Sequence, residues 1–296
     1  MRILLTGLVG LALANPAHAE PELRRVPRPD GSLIDVWLDA PEGESQGLLL
    51  LAQGSGCFPA RESANLATVH GAFPDYTAVM VDKIGVTTDA GIEGGFTDCP
   101  PAFHDGYTLS QRLDDYRAVL DMLLAEDEWD LVLFGGSEGG LAVAVLAAEY
   151  DPQATIILSS ATGMTFADMV RSTVPPEGHA TIDAGFAAAR ADPEGGTLFA
   201  GSTHRFWADI LDYRGLDHMV RATSPFLLIQ GGRDGSSPLA SARMTADAFA
   251  EGGLCNLTYW EFPALDQGMA ALDGTSRLAD IAGLAAAWVA APMAGC

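Results

Sequence analysis

The feature that most restricts the fold of this chain is a glycine-serine turn between an apolar run and an alanine-rich run. Residues 130–134 predict a short buried strand, and residues 139–150 predict a buried helix. Their connection is Gly135-Gly136-Ser137-Glu138-Gly139, which matches the pattern G-x-S-x-G. A serine in this context lies on a sharp turn with small neighbours on both sides and a helix N-terminus behind it. The pattern predicts Ser137 as a nucleophile; the alternative is a glycine-rich turn without chemistry.

The rest of the chain alternates short apolar runs with helical patterns. Pro29-Asp30-Gly31 predicts the turn of an opening hairpin over residues 24–40. The predicted later strands are 47–52, 76–81, 130–134, 154–158, 225–230 and 257–262, and the predicted helices are 109–125, 139–150, 239–250 and 277–290. This alternation indicates an α/β fold, with a mostly parallel sheet and helices on both faces. Active sites of such folds lie at the carboxyl ends of the strands.

One long segment interrupts the alternation. Residues 163–223 contain helical patterns, Pro175-Pro176, Gly195-Gly196 and several aromatic residues, but no strong strand pattern. We therefore predict a helical cap, inserted between strands of the main domain and covering the site.

Two loops at predicted strand ends complete the candidate site. Gln53-Gly54-Ser55-Gly56 follows the apolar run 47–52, and such a loop supplies one N–H of an oxyanion hole. The donors are then an N–H near Gly54 or Ser55 and the N–H of Glu138; an ordinary tight turn is the alternative. Asp234 follows the strand predicted at 225–230, where an acid can orient a catalytic base. Its alternative is an aspartate that caps a turn or helix.

Together, these motifs resemble the α/β-hydrolase superfamily over nearly all of the mature chain. The GGSxGG elbow and the G-x-x-D-x-x-x-P acid loop are similar to those of the exported dienelactone-hydrolase-like and prolyl-oligopeptidase-like branches. The resemblance implies an α/β-hydrolase fold, no cofactor, and triad residues in the order Ser, Asp, His. Ser137 and Asp234 fit that order. The implied activity is cleavage of a carboxylic ester, with an amide or peptide bond as the less favoured substrate.

The chain departs from that pattern at the third triad position. The stretch that matches the family's histidine loop is Phe262-Pro263-Ala264-Leu265-Asp266-Gln267-Gly268-Met269, so Gln267 occupies the expected histidine position. A glutamine amide donates and accepts hydrogen bonds but takes no proton near neutral pH. No histidine follows His218 in the sequence.

Three explanations for Gln267 remain open at this stage. The glutamine is an engineered replacement of histidine, or the protein is a natural one that binds without appreciable turnover, or another histidine acts as the base. The candidates for a substitute base are His104, in the predicted loop 86–107, and His218, in the predicted cap. Glu138 is a weaker candidate, because the residue after the nucleophile mainly offers its backbone N–H. The leading hypothesis is a serine hydrolase, and the rival is a binding protein with a hydrolase fold.

The N-terminus predicts export. Arg2 precedes an apolar run too short to span a bilayer, and Ala17-His18-Ala19 matches a signal-peptidase site. We predict a signal peptide over residues 1–19, a mature domain over residues 20–296, and a periplasmic or extracellular location. An N-terminal membrane anchor or a buried helix is the alternative.

Composition limits the partners. The net charge of −23 disfavours nucleic acid and anionic lipid, so we expect a small-molecule ester or peptide-like substrate and no further membrane span. Lys83 is the only lysine, and the sequence suggests no function for it. The four cysteines form no C-x-x-C pair, so we predict no metal. In an oxidising compartment we favour the disulfides Cys57–Cys99 and Cys255–Cys296, with free thiols as the alternative.

Overall fold

The computed structural model describes residues 20–87 and 98–292, and a mixed eight-stranded sheet forms its centre. The strands are β1 (Glu22–Pro27), β2 (Leu33–Asp39), β3 (Leu48–Ala52), β4 (Thr77–Val81), β5 (Leu131–Gly136), β6 (Ala154–Leu158), β7 (Leu198–Phe199), β8 (Ser202–Thr203), β9 (Phe226–Gly231) and β10 (Leu257–Phe262). The sheet order is β1-β2-β4-β3-β5-β6-β9-β10, while β7 and β8 form a separate hairpin. β2 is antiparallel to both neighbours, and the other six strands of the sheet, β4, β3, β5, β6, β9 and β10, run parallel. The predicted α/β class is confirmed.

Helices cover both faces of this sheet. They are α1 (Ala64–His70), α2 (Pro101–Gly106), α3 (Leu109–Glu126), α4 (Glu138–Tyr150), α5 (Phe166–Thr173), α6 (His179–Ala191), α7 (His204–Ile210), α8 (Leu216–Met219), α9 (Leu239–Glu251) and α10 (Leu278–Val289). Successive side chains of β3 alternate between two buried clusters: Leu50 packs with α3 and α4, and Leu49 packs with α1 and α10. A strand covered on both faces must be apolar throughout, which explains the run of four leucines.

Predicted and observed elements agree closely in the main domain. β6 and β10 have the predicted bounds, and the other predicted strands and helices start and end within a few residues of their predicted limits. The sequence analysis did not identify α1 and α2, because both are too short to show a helical repeat. α1 begins where the Ser63 hydroxyl accepts a hydrogen bond from the N–H of Leu66. α2 lies within the segment 86–107 that was predicted as a loop.

The segment predicted as a cap lies between β6 and β9. It holds α5 to α8 and the β7–β8 hairpin, which the sequence analysis did not predict. Its aromatic residues pack on one another: Trp207 contacts Phe166, Phe186 and Phe206 at ring-centroid distances of 5.4–6.1 Å. These aromatic side chains also join the large apolar cluster on the α3–α4 face of the sheet, so the segment is packed onto the main domain.

The ends of the chain and the cysteines complete the comparison. The Cys57–Cys99 disulfide is present, as predicted. The predicted signal peptide and Cys296, the proposed partner of Cys255, lie outside the described residues. Over residues 20–87 and 98–292, no helix combines the length and the apolar character that crossing a bilayer requires.

Candidate active site

Ser137 occupies a strained turn between β5 and α4. Its backbone angles are φ 53° and ψ −123°, which a residue with a side chain rarely adopts. The turn is held by a hydrogen bond of 2.9 Å from the Ser137 N–H to the carbonyl of Leu158. A Cβ atom on Gly135 would lie 2.2 Å from the Gly139 carbonyl oxygen, and one on Gly139 would lie 2.1 Å from the Ala52 carbonyl oxygen. Both flanking positions of the motif therefore require glycine.

The elbow opens into a cavity of about 680 Å³. Its floor is formed by the carboxyl ends of the strands, including Ser137 after β5 and Ser159 after β6. The cap contributes apolar residues of α5 together with Tyr213, and the loops after β9 and β10 contribute Ser236 and Gln267. The cavity thus combines polar groups near Ser137 with an apolar wall.

The loop after β3 approaches the nucleophile closely. A Cβ atom on Gly54 would lie 3.3 Å from the Cβ of Ser137, so the two backbones are in contact at this point. Ser55 and Gly54 both line the cavity. The Ser55 hydroxyl donates to Oε2 of Glu138 at 3.0 Å and links this loop to the elbow.

Glu138 is buried behind the elbow and is bound by two cations. Its Oε1 accepts a hydrogen bond from Arg112 at 3.0 Å and another from the Tyr107 hydroxyl, and Nζ of Lys83 lies 3.6 Å away. Burial alone raises the pKa of Glu138, but the positive charges of Lys83 and Arg112 outweigh it and lower the pKa overall. Burial lowers the pKa of Lys83 to about 7. Glu138 is therefore a structural carboxylate. Its oxygens are engaged by these buried partners, which argues against its acting as a base at Ser137.

Asp234 follows β9, as predicted, and its carboxylate is bound by its own loop. Oδ1 accepts hydrogen bonds of 2.8 Å from the N–H groups of Ser236 and Ser237, and Oδ2 accepts one of 3.1 Å from the side chain of Gln230. Burial raises the pKa of Asp234, and these hydrogen bonds only partly offset that effect. The neighbouring Arg233 N–H donates to the Leu265 carbonyl at 2.9 Å, so the acid loop packs directly on the loop after β10.

Gln267, on that loop, contacts Ser137. Its Nε2 donates a hydrogen bond of 3.2 Å to Oγ of Ser137. The loop is held by Oδ1 of Asp266, which accepts from the N–H groups of Gly268 and Ala270 at 3.0 Å and 2.8 Å. The side chain at the expected histidine position therefore does reach Ser137, but as a hydrogen-bond donor.

The two histidines considered as substitute bases lie elsewhere. His104 is in α2, against the edge of Phe103. His218 is in α8, stacked on Tyr213, with its Nδ1 facing a guanidinium nitrogen of Arg221 at 2.9 Å. Among the described residues, those that line the cavity include no histidine. Helix packing places His104 and His218 outside the set of residues that line the cavity, so the structure does not bring either of these predicted substitute bases to Ser137.

Comparison with solved structures identifies the architecture. Est1E from Butyrivibrio proteoclasticus is 17% identical, with a TM-score of 0.61 over 92% of this chain and 99% of that protein. A Paleococcus ferrophilus monoacylglycerol lipase is 16% identical, with a TM-score of 0.61 over 92% of this chain and 98% of the lipase. The chain has the α/β-hydrolase fold.

A larger protein shares the same α/β-hydrolase fold. A Mycobacterium tuberculosis puromycin-hydrolyzing peptidase is 16% identical, with a TM-score of 0.60 over 95% of this chain. This chain spans 40% of that peptidase. No family model matches the sequence, and no curated protein matches it in sequence comparison.

Within this α/β-hydrolase fold, sequence reasoning missed Lys83 and Arg112. Lys83 comes two residues after β4, at the carboxyl edge where the fold places its site, and that position was an available signal. Arg112 lies in α3 and gave no local signal, because only packing brings it to Glu138. In the described part of the chain, no group of histidine, cysteine or acidic side chains is arranged to hold a metal ion.

Proposed function

We propose that this protein is a serine hydrolase of carboxylic esters with Ser137 as its nucleophile. The observation that carries the proposal is the strained elbow, which presents Ser137 to a cavity beside the Gly54 loop. Backbone strain persists where the surrounding structure enforces it, and it is concentrated at functional sites. The names of two solved neighbours, a lipase and a peptidase, support a hydrolase in general.

In the proposed reaction, Oγ of Ser137 bonds to the acyl carbon and the ester's alkoxide or phenolate departs. The N–H groups near Gly54 and Ser55 and that of Glu138 stabilise the negative charge on the carbonyl oxygen. The serine proton passes to solvent, because Gln267 cannot accept it. Water then cleaves the acyl-enzyme and releases the acid. Asp234 keeps the position of the family's acid but has no imidazole to orient.

Loss of the imidazole favours esters over amides as substrates. An amine must be protonated as it leaves, and in the α/β-hydrolase triad the histidine supplies that proton. Gln267 has no proton of suitable acidity to give. A phenolate leaves as the anion without being protonated, so an aryl ester is the substrate that least needs a general acid.

Labelling with a fluorophosphonate probe tests this proposal. The folded protein should be labelled on Ser137, as located by mass spectrometry of the peptide, and Ser137→Ala should not react. Turnover of p-nitrophenyl butyrate, measured beside the same variant, distinguishes chemistry at Ser137 from background hydrolysis. A folded wild-type protein that neither reacts with the probe nor turns over the ester refutes the proposal.

Gln267 favours a second candidate, a binding protein that retains the hydrolase fold. The hydrogen bond from Gln267 occupies an acceptor position on Oγ and orients the hydroxyl without activating it. Loss of a triad member typically lowers turnover by about 10⁴- to 10⁶-fold. This candidate requires that ester turnover equals that of Ser137→Ala while product-like acids or intact esters still bind, as measured by calorimetry.

We further propose that the protein is exported after cleavage before Glu20. The Cys57–Cys99 disulfide supports this location, because disulfides persist mainly in oxidising compartments. N-terminal sequencing of the protein recovered from a periplasmic or culture fraction should begin at Glu20. Recovery from the cytoplasm with the first residues intact contradicts export.

A further inference from the structure

Two buried cations hold the carbonyl groups of the loop beside Ser137. Nη2 of Arg112 donates to the carbonyl oxygen of Gln53 at 2.6 Å. Nζ of Lys83 donates to the carbonyl oxygens of Gly54 and Gly56 at 2.7 Å and 2.8 Å. Three of the four residues of the loop 53–56 thus have their carbonyl groups bound to the side chain of Arg112 or Lys83.

Because the peptide group is planar, the contacts to these carbonyl oxygens also fix the direction of the N–H groups that follow them. In a trans peptide the carbonyl and the following N–H point in opposite directions. The N–H of Gly54 therefore points away from Arg112, and the N–H of Ser55 points away from Lys83. Gly54 and Ser55 line the cavity, whereas Lys83 and Arg112 lie behind it. The two N–H groups are consequently turned toward the side on which Ser137 stands.

Glu138 connects this loop to the elbow. Its carboxylate binds both cations and the Ser55 hydroxyl, and its own backbone N–H is the other expected oxyanion donor. The side chain that balances the two cations is therefore carried by the residue next to the nucleophile. One carboxylate fixes the relative position of both sets of N–H donors.

Stability alone is a weak reason for such a cluster. Lys83, Arg112 and Glu138 are each no more than 3% exposed. Taking such charges out of water costs several kcal/mol per ion, and apolar replacements of similar volume are often neutral or stabilising. What an apolar core cannot do is bind three carbonyl oxygens and thereby orient the peptide groups between them.

We propose that Lys83, Arg112 and Glu138 are positioning residues, which hold the loop 53–56 so that its N–H groups form the oxyanion hole of Ser137. This proposal rests on the proposed function for its catalytic consequence. Its structural part, the ordering of the loop by the cations, stands separately from turnover.

Lys83→Met tests the proposal, because it keeps the length of the side chain and removes both hydrogen bonds to the loop. The matched control is Arg28→Met, which breaks a partly buried ion pair with Asp115 of α3, while the other hydrogen bonds of Arg28 go to Ser32 and Leu33. Melting temperature and circular dichroism establish that both variants are folded. An effect on activity that comes only from lost stability should then appear in both variants.

The first measurement is the kinetics of p-nitrophenyl butyrate hydrolysis. Removing the alignment of an oxyanion donor should lower kcat about 10²-fold in Lys83→Met, as deletion of one donor does elsewhere, with KM changed less than about twofold. Arg28→Met should keep the wild-type kcat. Equal kcat values in the folded Lys83→Met and Arg28→Met proteins overturn the proposal.

The second measurement does not depend on activity. Hydrogen–deuterium exchange of the amides of residues 54–56 should be about tenfold faster in Lys83→Met than in wild type, and unchanged in Arg28→Met, because a loop that loses its hydrogen bonds opens more often. Unchanged exchange in Lys83→Met refutes the positioning role even if the wild type proves inactive. Faster exchange in Lys83→Met, combined with a wild type that neither reacts with fluorophosphonate nor turns over the ester, supports the ordering of the loop by Lys83 and refutes the proposed function.

Discussion

The side-chain nitrogen of Gln267 lies 3.2 Å from the hydroxyl oxygen of Ser137, at the sequence position where the resemblance to α/β-hydrolases predicts a histidine. The loop that carries Gln267 is held against the acid loop by the hydrogen bond from Arg233 to Leu265. The loop after β10 therefore brings a side chain within hydrogen-bond distance of Ser137, but that side chain is an amide, which takes no proton near neutral pH.

Gln267→His should raise p-nitrophenyl ester turnover by about 10²-fold or more, because a positioned general base typically contributes about 10²- to 10⁴-fold. The gain is measured as kcat/KM near pH 8. The double variant with Ser137→Ala should lose it, and Gln267→Ala should show no gain. If Gln267→His does not increase turnover, the side chain at position 267 is not placed to act as the base.

The unaltered protein should discriminate strongly by leaving group. An aryl ester should be cleaved at a measurable rate, and the anilide with the same acyl group at no rate above that of Ser137→Ala, because no residue at the site protonates a departing amine. Hydrolysis of matched p-nitrophenyl butyrate and p-nitrobutyranilide is followed at equal enzyme concentration. Comparable rates on the two substrates would reveal a general acid at the site.

Gly139→Ala should destabilise the protein although alanine is the better helix former. The new Cβ would lie 2.1 Å from the Ala52 carbonyl oxygen, a backbone atom with no room to move aside. We expect a loss of about 3 kcal/mol in the free energy of unfolding, which exceeds the gain of about 1 kcal/mol from helix propensity. Urea unfolding measures the difference.

Gly136→Ala is the matched control at the same turn. The nearest atom to its new Cβ is the Leu158 carbonyl oxygen at 3.9 Å, so we expect a change below about 1 kcal/mol. This contrast explains why the motif requires glycine at both ends but not at its second position. Equal stability of the two variants would contradict the explanation.

Glu138→Gln should cost about 3–5 kcal/mol of unfolding free energy at pH 7, because it leaves buried cations without their counter-charge. The pKa of Glu138 is lower in the folded protein than its ordinary value of 4.5. The charged carboxylate therefore stabilises the fold at pH values above 4.5, and this stabilisation is lost as the pH falls through the lowered pKa. The gap between wild type and variant in urea unfolding should therefore narrow below about pH 4.5.

Glu149→Gln provides the control for that series. Glu149 pairs with Arg117 on the surface, where an ion pair contributes about 0–1 kcal/mol. Its replacement should leave stability nearly unchanged at every pH. A Glu138→Gln protein as stable as Glu149→Gln at pH 7 would show that Glu138 does not balance the buried cations.

Replacing both Cys57 and Cys99 by serine should destabilise the protein by up to about 4 kcal/mol, because the bridge closes a loop with a sequence separation of 42 residues. The measurement is urea unfolding with and without reductant. Reductant should destabilise the wild type more than the double variant. An equal response in the two proteins would mean that this disulfide contributes little.

Local sequence determined most of the main domain. Apolar runs such as β3 and β6 indicated buried strands, and the glycines around Ser137 indicated the elbow, because these signals depend on neighbouring residues alone. The same is true of Asp234 at its turn and of Gln267 in place of histidine. Four cysteines allow three pairings, and the Cys57–Cys99 bridge was favoured because it could tie together two neighbouring loops; the structure contains it.

Tertiary structure alone decided which distant groups meet at Ser137. It showed that Gln267 contacts Ser137, and that His104 and His218 lie outside the cavity. It also brought Lys83 and Arg112 from two separate elements to Glu138. The partner of a buried charge is set by how helices pack on the sheet, and that packing depends on contacts between residues far apart in the chain, which a sequence pattern does not record.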